Sequence, residues 1–238
     1  MKFKEGKGWV YLWGKIILDI LFPIFCLGCQ TEGEWVCLSC QTQIFVLGVF
    51  ACPVCHEGAP GGYACLNCRK KSALARQVSL FLYKESALPT KSVVRFKYDS
   101  IKDLERLFNL WLAEFVTHHA EMFRGYTMIV PVPLHPRRFC ERGFNQALSL
   151  AQGLEAVVGI PVREMLVRQR YTRQQAKLNK NKRAKNVRGA FKTIGNVRGA
   201  RIILVDDVYT TGATMLECAA VLKKSGASVV FGLTLLRG

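Results

Sequence analysis

The strongest constraint on the fold comes from residues 202–214, which read IILVDDVYTTGAT. Four apolar residues without a polar interruption predict a strand buried on both faces of a parallel sheet. Asp206 and Asp207 are therefore expected at the carboxyl end of this strand, where open α/β sheets bind ligands. The next five residues predict a turn into a helix that begins near Met215, and the free amide groups at a helix start attract an anion. The segment thus predicts a strand-turn-helix unit that binds phosphate.

The acid pair and the turn place different demands on a ligand. Two carboxylates repel phosphate, so they need neutral hydroxyls or a bound cation beside them, while the turn accepts the phosphate. A ribose 5-phosphate meets both demands. The alternative interpretation is an ordinary buried strand whose Asp-Asp pair caps a helix.

This segment resembles the signature of the type I phosphoribosyltransferases, which has the same order of apolar strand, acid pair and threonine/glycine loop. The resemblance implies that Asp206 and Asp207 are the catalytic acids and hold the ribose hydroxyls of phosphoribosyl pyrophosphate (PRPP), which binds with Mg²⁺. Tyr209 departs from the many members with an aliphatic residue here, and we expect it to alter what lies over the ribose while the loop stays intact. The implied 5-phosphate loop comprises Thr210, Thr211, Gly212, Ala213 and Thr214.

Eight of the ten cysteines form four C-x-x-C pairs near the start of the chain. Two such pairs can enclose one tetrahedral Zn²⁺ with no open position, so we predict two structural zinc ions. Disulfide pairing is the alternative, but the rest of the chain is typical of an intracellular nucleotide-type domain, where thiols stay reduced. The predicted ligands are Cys26, Cys29, Cys37, Cys40, Cys52, Cys55, Cys65 and Cys68.

The spacing of the cysteines leaves the pairing of the knuckles open. Pairing the first with the second and the third with the fourth gives two consecutive ribbons, whereas a cross-braced arrangement interleaves them. His56 follows Cys55 and is surplus to both sets, so we interpret it as a surface residue rather than a ligand.

The cysteine distribution also divides the chain. We predict an N-terminal helix and double zinc ribbon over residues 1–72 and a larger α/β domain over residues 73–238. The apolar stretch 9–25 is interrupted by Lys15, Asp19 and Pro23, which favours an amphipathic helix over stable membrane insertion. The chain is therefore expected in the cytoplasm, with contact at the inner face of the membrane as the alternative.

Strands and helices alternate in the larger domain, which predicts a mostly parallel, doubly wound sheet. The expected strands cover residues 78–83, 127–132, 202–206 and 229–236, and the expected helices cover residues 101–118 and 145–158.

A third motif, VPVPLHPRRFCERGFNQ, covers residues 130–146. Arg138 and Arg142 are expected near a strand end, where guanidinium groups bind a polyanion, although a solvated basic loop is the alternative. Together with Arg173-Gln174-Gln175 and Ala190-Phe191, the motif resembles the ComF family of competence-associated proteins, which join a double zinc ribbon to a phosphoribosyltransferase-like domain. The resemblance places residues 131–142 near the pyrophosphate and residues 168–188 in a flap over the ligand.

Positive charge is concentrated in residues 163–201, which hold thirteen Lys and Arg against one acid, Glu164, in a chain of net charge +17. This concentration predicts binding to a polyanion that weakens with salt. Few aromatic residues lie among these charges, so contact would be mainly with phosphates. A flap that is basic only to close over PRPP is the alternative. The predicted contacts to single-stranded DNA are Lys177, Lys180, Lys182, Arg183, Lys185 and Arg188.

Three functional hypotheses follow from these features. In the first, which the ComF resemblance implies, the protein handles single-stranded DNA in natural transformation, binds PRPP and works with other competence or DNA-processing proteins. In the second, it is an active phosphoribosyltransferase with an acceptor that the sequence does not identify. In the third, it is a zinc-ribbon adaptor whose transferase fold is only a scaffold.

Overall fold

A computed structural model of the protein describes residues 23–98, 103–170 and 186–238. The chain divides into two compact units, Met1–Phe45 and Val46–Gly238. The described strands are β1 (Val49–Phe50), β2 (Arg76–Leu82), β3 (Met128–Pro131), β4 (Leu166–Arg168), β5 (Phe191–Thr193), β6 (Arg201–Tyr209) and β7 (Val229–Arg237). The described α-helices are α1 (Leu38–Gln41), α2 (Leu88–Tyr98), α3 (Leu104–His119), α4 (Pro136–Arg142), α5 (Gln146–Val158) and α6 (Ala213–Lys224), and short 3-10 helices cover Pro60–Gly62 and Ala120–Phe123.

A five-stranded sheet in the order β1-β2-β7-β6-β3 organises the second unit. The pairs β2/β7, β7/β6 and β6/β3 are parallel, and only the short edge strand β1 is antiparallel to its neighbour. The expected α/β class with a mostly parallel sheet is confirmed. All four parallel strands end at one edge of the sheet, so the segments that follow them lie together.

The core lies between the central strands and the helices. Ile202 and Leu204 of β6 are fully buried and pack in one cluster with Met215, Cys218 and Leu222 of α6. Side chains alternate along a strand, so the neighbours of Ile202 and Leu204 in β6 point to the other face of the sheet. Helix α5 contacts both β3 and β6, and α3 packs on α5.

Strand β6 is longer than the sequence predicts, because it continues to Tyr209 instead of ending at the acid pair. Its pairing with β3 ends at Val205, but its pairing with β7 continues to Tyr209. The two acids therefore lie within β6, in the part that has passed the end of β3. The following helix begins at Ala213, two residues before the expected start.

Several described elements were not anticipated from the sequence. Helices α1 and α2 and the short strands β1, β4 and β5 were not predicted, and the arginines of the third motif lie on helix α4 rather than on the basic loop that was the alternative interpretation. The predicted N-terminal helix lies outside the described residues. Within the described ranges, no helix is both long enough and apolar enough to cross a bilayer.

Candidate ligand-binding site

A cavity of about 400 Å³ opens where the parallel strands end. Residues after β2, β3 and β6 contribute to its wall, as do α2, α4 and α5. Of the residues singled out from the sequence, the cavity brings together Asp206, Asp207, Thr210, Thr214, Arg138 and Arg142. It is also lined by residues that the sequence did not single out for this site, among them Lys97, Asn145, Gln146 and Arg168.

The two acids have different surroundings. The Asp207 carboxylate forms an ion pair with the Lys97 ammonium at 2.7 Å. The side chain of Asp207 is only 9% exposed. The Asp206 carboxylate accepts a hydrogen bond from the backbone N–H of Asp207 at 2.9 Å. Burial, together with the charge of Asp207, raises the pKa of Asp206 to about 7. The pair thus presents one carboxylate neutralised by a lysine and one that titrates near neutral pH.

We expect Asp206 to make the stability of the ligand-free protein depend on pH. A carboxyl whose pKa rises on folding stabilises the fold fully only below its unfolded pKa of about 4, and this contribution declines as pH rises and is lost once pH passes the folded pKa of about 7. Asp206→Asn removes the ionisation, so it should raise the thermal midpoint relative to the parent protein by at least about 2 °C at pH 8 and by roughly two-thirds of that gain at pH 6. Differential scanning calorimetry of the zinc-loaded protein measures both midpoints.

The matched control for this experiment is Asp103→Asn, because Asp103 is exposed and lies outside the cavity wall. It should leave the midpoint unchanged at both pH values. A gain from Asp206→Asn of equal size at pH 6 and pH 8 would contradict the assigned pKa.

Each residue of the RGFNQ motif, residues 142–146, has its own structural role. Arg142 ends α4 and donates to the Gln146 side-chain oxygen at 3.1 Å, which holds the guanidinium at the cavity wall. Gly143 is left-handed, with φ 76°, and turns the chain. The Phe144 ring packs edge-on against the Phe96 ring, with centroids 5.0 Å apart. Asn145 caps α5 by accepting from the Ala147 N–H and donates to the Val132 carbonyl, both at 3.2 Å. The motif thus holds Arg142 at the cavity wall and ties the start of α5 to the chain just after β3.

The predicted phosphate loop forms the turn between β6 and α6. Gly212 is left-handed, with φ 73°, and its carbonyl accepts the Leu216 N–H at 2.8 Å, so the helix starts directly after it. Thr210 and Thr214 line the cavity. Thr211, Gly212 and Ala213 lie in the turn between them and do not line it. Thr210 and Thr214 therefore contribute to the cavity wall on either side of the turn that leads into α6.

Arg168 is a buried cation in the cavity wall. Its side chain is 9% exposed, and its guanidinium lies 5.2 Å from the Phe191 ring centroid on the paired strand β5. Burial and the nearby charge of Arg138 lower its pKa. The cavity is thus lined by four cations, Lys97, Arg138, Arg142 and Arg168, and by two acids, a suitable set of groups for a ligand with several negative charges.

Most of the predicted DNA-contacting cluster, residues 177–185, lies outside the described residues, and only Arg188 can be located. The residues just before and just after 171–185 contact each other, because the Arg170 side chain donates to the carbonyls of Asn186 and Arg188, at 3.2 and 2.7 Å. Strand β4, which precedes Arg170, pairs with strand β5, which follows Arg188. Both ends of the basic segment are therefore anchored beside Arg168.

Lys97 is the functional candidate that sequence reasoning missed. Val93 and Phe96 are buried three residues apart, a helical spacing that was available in the sequence as a signal for α2. The contact between Lys97 and Asp207 had no such signal, because 110 residues of chain separate the two and the fold alone brings them together.

The expectation for Tyr209 was wrong. Its side chain is only 1% exposed and does not line the cavity, because its hydroxyl donates to the Pro53 carbonyl at 2.6 Å beside the second cysteine cluster. His56 was expected at the surface, but it is half-buried and its Nδ1 lies 3.2 Å from the Arg237 guanidinium. The His56 ring does not belong to either cysteine cluster.

The eight cysteines form two groups of four, and within each group all sulfurs lie within 4.8 Å of one another. The groups follow the chain: the first two C-x-x-C pairs form one and the last two form the other, which gives consecutive ribbons rather than interleaved ones. Four sulfurs at Zn–S bonds of about 2.3 Å are separated by about 3.8 Å in a tetrahedron, so both groups fit one metal ion each. The Cys29 and Cys37 sulfurs are 3.6 Å apart, and those of Cys55 and Cys65 are 3.9 Å apart.

Backbone N–H groups lower the pKa of the buried cysteine in each group, which favours its thiolate form. Burial by itself would raise the pKa of Cys52, but amide N–H groups around its sulfur outweigh that effect and lower it to about 6. One of these donors is the Cys65 N–H, at 3.5 Å from the sulfur. Cys26 has an equivalent environment, and its pKa is also lowered to about 6. Thiolates are the metal-binding form of cysteine.

Comparison with known proteins agrees with this architecture. The phosphoribosyl transferase domain family matches residues 141–237. Competence protein ComFC of Bacillus subtilis is 31% identical over 214 residues, which cover 86% of this chain and 85% of ComFC. DNA utilization protein YhgH of Escherichia coli K12 is 32% identical over 219 residues, which cover 87% of this chain and 94% of YhgH. The solved glutamine PRPP amidotransferase of B. subtilis shares 21% identity at a TM-score of 0.41, over 60% of this chain and 30% of that one. Because ComFC and YhgH share 31% and 32% identity with this chain over most of its length, the chain belongs to the ComF family.

Proposed function

We propose that this chain is a PRPP-binding ComF protein that acts in DNA uptake during natural competence and handles single-stranded DNA in the cytoplasm. The observation that carries the proposal is the cavity, which is lined by an acid pair, by two threonines that flank the turn into α6 and by four cations. The names of the relatives, a competence protein and a DNA utilization protein, support the cellular role.

Each part of PRPP would have a matching group in the cavity or in the turn beside it. Asp206 and Asp207 would accept hydrogen bonds from the two ribose hydroxyls, and residues 210–214 would bind the 5-phosphate. Arg138, Arg142 and Arg168 would bind the pyrophosphate through charge-assisted hydrogen bonds. Carboxylates and a polyphosphate together form a Mg²⁺ site, and bound Mg²⁺ would neutralise pyrophosphate charge.

We also propose that both cysteine clusters hold structural Zn²⁺. Each cluster provides four sulfurs and leaves no coordination position for a substrate, so the metal would hold the fold rather than take part in chemistry. Atomic absorption of the purified protein should give two zinc ions per chain.

The charge distribution supports binding of single-stranded DNA. Five of the proposed contacts lie within residues 171–185, and both ends of that segment are anchored next to Arg168 at the cavity wall. Bound DNA and the PRPP cavity would therefore be neighbours. Other competence or DNA-processing proteins would then meet this protein through the DNA.

We expect neutralisation of the basic segment to remove DNA binding and keep PRPP binding. Changing Lys177, Lys180, Lys182, Arg183 and Lys185 to Gln should weaken single-stranded DNA binding at least about tenfold and flatten its salt dependence, because each lost phosphate contact lowers the logarithmic slope by about 0.7. Fluorescence anisotropy with a labelled oligonucleotide over a salt series measures both quantities, and calorimetry measures PRPP affinity.

The control for this variant carries the same loss of charge at exposed positions elsewhere. It changes Lys70, Lys71, Lys84, Lys91 and Lys224 to Gln. Equal DNA affinity and equal salt slope in the two variants would reject the assigned DNA-binding segment and leave the PRPP proposal standing.

Enzymatic turnover is the second candidate function. It is favoured by the residues that line the cavity: both acids, Thr210 and Thr214 of the loop and the arginines surround one space, and Lys97 forms an ion pair with Asp207 there. In that case the arginines stabilise the departing pyrophosphate, and an acceptor nitrogen forms a bond to the ribose carbon as the carbon–oxygen bond to pyrophosphate breaks.

A further inference from the structure

Tyr209 joins the second cysteine cluster to the end of β6. Its hydroxyl donates to the Pro53 carbonyl at 2.6 Å, and Pro53 lies inside the Cys52–Cys55 knuckle. Its pKa is raised by burial, so it remains a donor at neutral pH. The position of the knuckle and the position of this side chain therefore depend on each other.

The other neighbour of Tyr209 is the phosphate loop. A Cβ atom placed on Gly212 would overlap the Tyr209 hydroxyl and ring carbons. The loop backbone thus packs directly on this side chain, at a residue whose φ of 73° also favours glycine. A shift of the Tyr209 ring would move Gly212, and a shift of Gly212 would press on the bond to Pro53.

Arg237 contacts both the second cysteine cluster and Tyr209. One guanidinium nitrogen donates to the Cys52 carbonyl at 3.1 Å and lies 3.2 Å from His56 Nδ1. The guanidinium also lies 5.0 Å from the Tyr209 ring centroid. Arg237 is only 4% exposed, so these contacts are shielded from water.

We propose that Tyr209 is a positioning residue that couples metal binding at the second cysteine cluster to ligand binding at the phosphate loop. The inference rests on the proposed PRPP site and on the fit of a metal ion to the four sulfurs. Coupling between two sites is reciprocal, so a filled loop should retain the metal and a bound metal should favour the ligand.

The first test substitutes Tyr209→Phe in the zinc-loaded, full-length protein. The ring stays under Gly212, but the bond to Pro53 is lost, so we expect PRPP affinity to fall about three- to tenfold. Release of one zinc equivalent to a chromophoric chelator should become faster, and PRPP should slow that release in the parent protein more than in the variant. Tyr126→Phe is the matched control, because the Tyr126 ring packs on Phe231 away from the cavity. Equal PRPP affinity and equal zinc release in the two variants would overturn the proposal.

The second test acts from the loop. Gly212→Ala forces a methyl group against Tyr209 and should speed the release of the same zinc equivalent, although no atom of the cysteine cluster changes. Gly159→Ala is the control, because Gly159 has a similar φ of 70° and no atom within 4 Å of an added Cβ. Unchanged zinc release in Gly212→Ala would contradict the coupling.

The coupling can also be tested without PRPP, which separates its failure from that of the proposed function. If the parent protein does not bind PRPP, the proposed ligand is wrong and hydrogen exchange decides the coupling. Faster exchange of the amides in residues 210–214 in Tyr209→Phe than in Tyr126→Phe supports the positioning role, and equal exchange rejects it.

Discussion

Asp206→Asn/Asp207→Asn is expected to lower the affinity for Mg²⁺-PRPP at least about 100-fold, since each carboxylate would lose a charge-assisted hydrogen bond to a ribose hydroxyl, worth about 1.5 kcal/mol or more. The substitution also leaves Lys97 without its ion-pair partner at a site where that lysine is only 21% exposed. The loss of affinity is expected from the two lost hydrogen bonds and not from Lys97, because a freed lysine would by itself favour an anionic ligand. Isothermal titration calorimetry with the zinc-loaded protein measures it.

The control for charge alone is Asp103→Asn/Glu121→Gln, in which both residues are exposed and lie outside the cavity wall. It should bind PRPP like the parent protein. A circular dichroism melt of each variant shows whether the fold is kept. If the paired Asp206/Asp207 variant is folded and still binds PRPP normally, these acids do not hold the ribose.

The same variant decides between binding and turnover. Incubation with Mg²⁺, PRPP and a pool of nucleobases and amines, with and without single-stranded DNA, gives an assay of pyrophosphate release. Release that depends on an acceptor and disappears in the variant identifies a transferase and its substrate class. PRPP binding without release makes the ligand a sensor signal or a structural element, and favours DNA handling as the main activity.

Cys52→Ser/Cys65→Ser is expected to remove one of two zinc ions and to lower the thermal midpoint by about 10 °C or more, because metal binding and folding of such a ribbon are one process. Two buried side chains of the same unit hold the Cys52–Cys55 knuckle. The Tyr209 hydroxyl donates to the Pro53 carbonyl, and the Arg237 guanidinium donates to the Cys52 carbonyl. Strand β1, which lies just before this cluster, also pairs with β2. These contacts should loosen together when the metal is lost.

The matched variant in the first cluster is Cys29→Ser/Cys37→Ser. It should also remove one zinc ion, but those residues lie in the other compact unit. We expect it to leave the hydrogen exchange of residues 210–214 unchanged, whereas Cys52→Ser/Cys65→Ser should accelerate it. Zinc analysis, calorimetry and hydrogen exchange on both proteins test this, and equal effects of the two variants on the loop would contradict a special role for the second cluster.

Local chemistry explains where the sequence was a sufficient guide. The apolar run before Asp206 predicted a buried strand and the residues after it predicted a turn into a helix, so the edge of the sheet at which the cavity opens was predictable. The cysteine spacing favoured two groups of four sulfurs. Both signals concern residues that are close along the chain, where periodicity and spacing carry the information.

Contacts between distant parts of the chain had no such signal. The end of β6 was placed too early, because its last residues are held by pairing with β7 and not by their own hydrophobicity. The orientation of Tyr209 depends on Pro53, 156 residues away, and was therefore predicted wrongly. Lys97 was overlooked because its partner Asp207 becomes its neighbour only when α2 packs at the end of the sheet.

The sequence by itself determined the α/β class, the acid pair at the end of a buried strand, the turn into α6 and the eight cysteines as metal-ligand candidates. The tertiary structure alone decided that the knuckles pair consecutively, that Lys97 and Arg168 complete the cavity wall and that Tyr209 lies between a cysteine cluster and the loop. The physical reason is range: propensity, periodicity and ligand spacing act within a few residues, whereas burial, ion pairing and close packing depend on which distant surfaces the folded chain brings into contact.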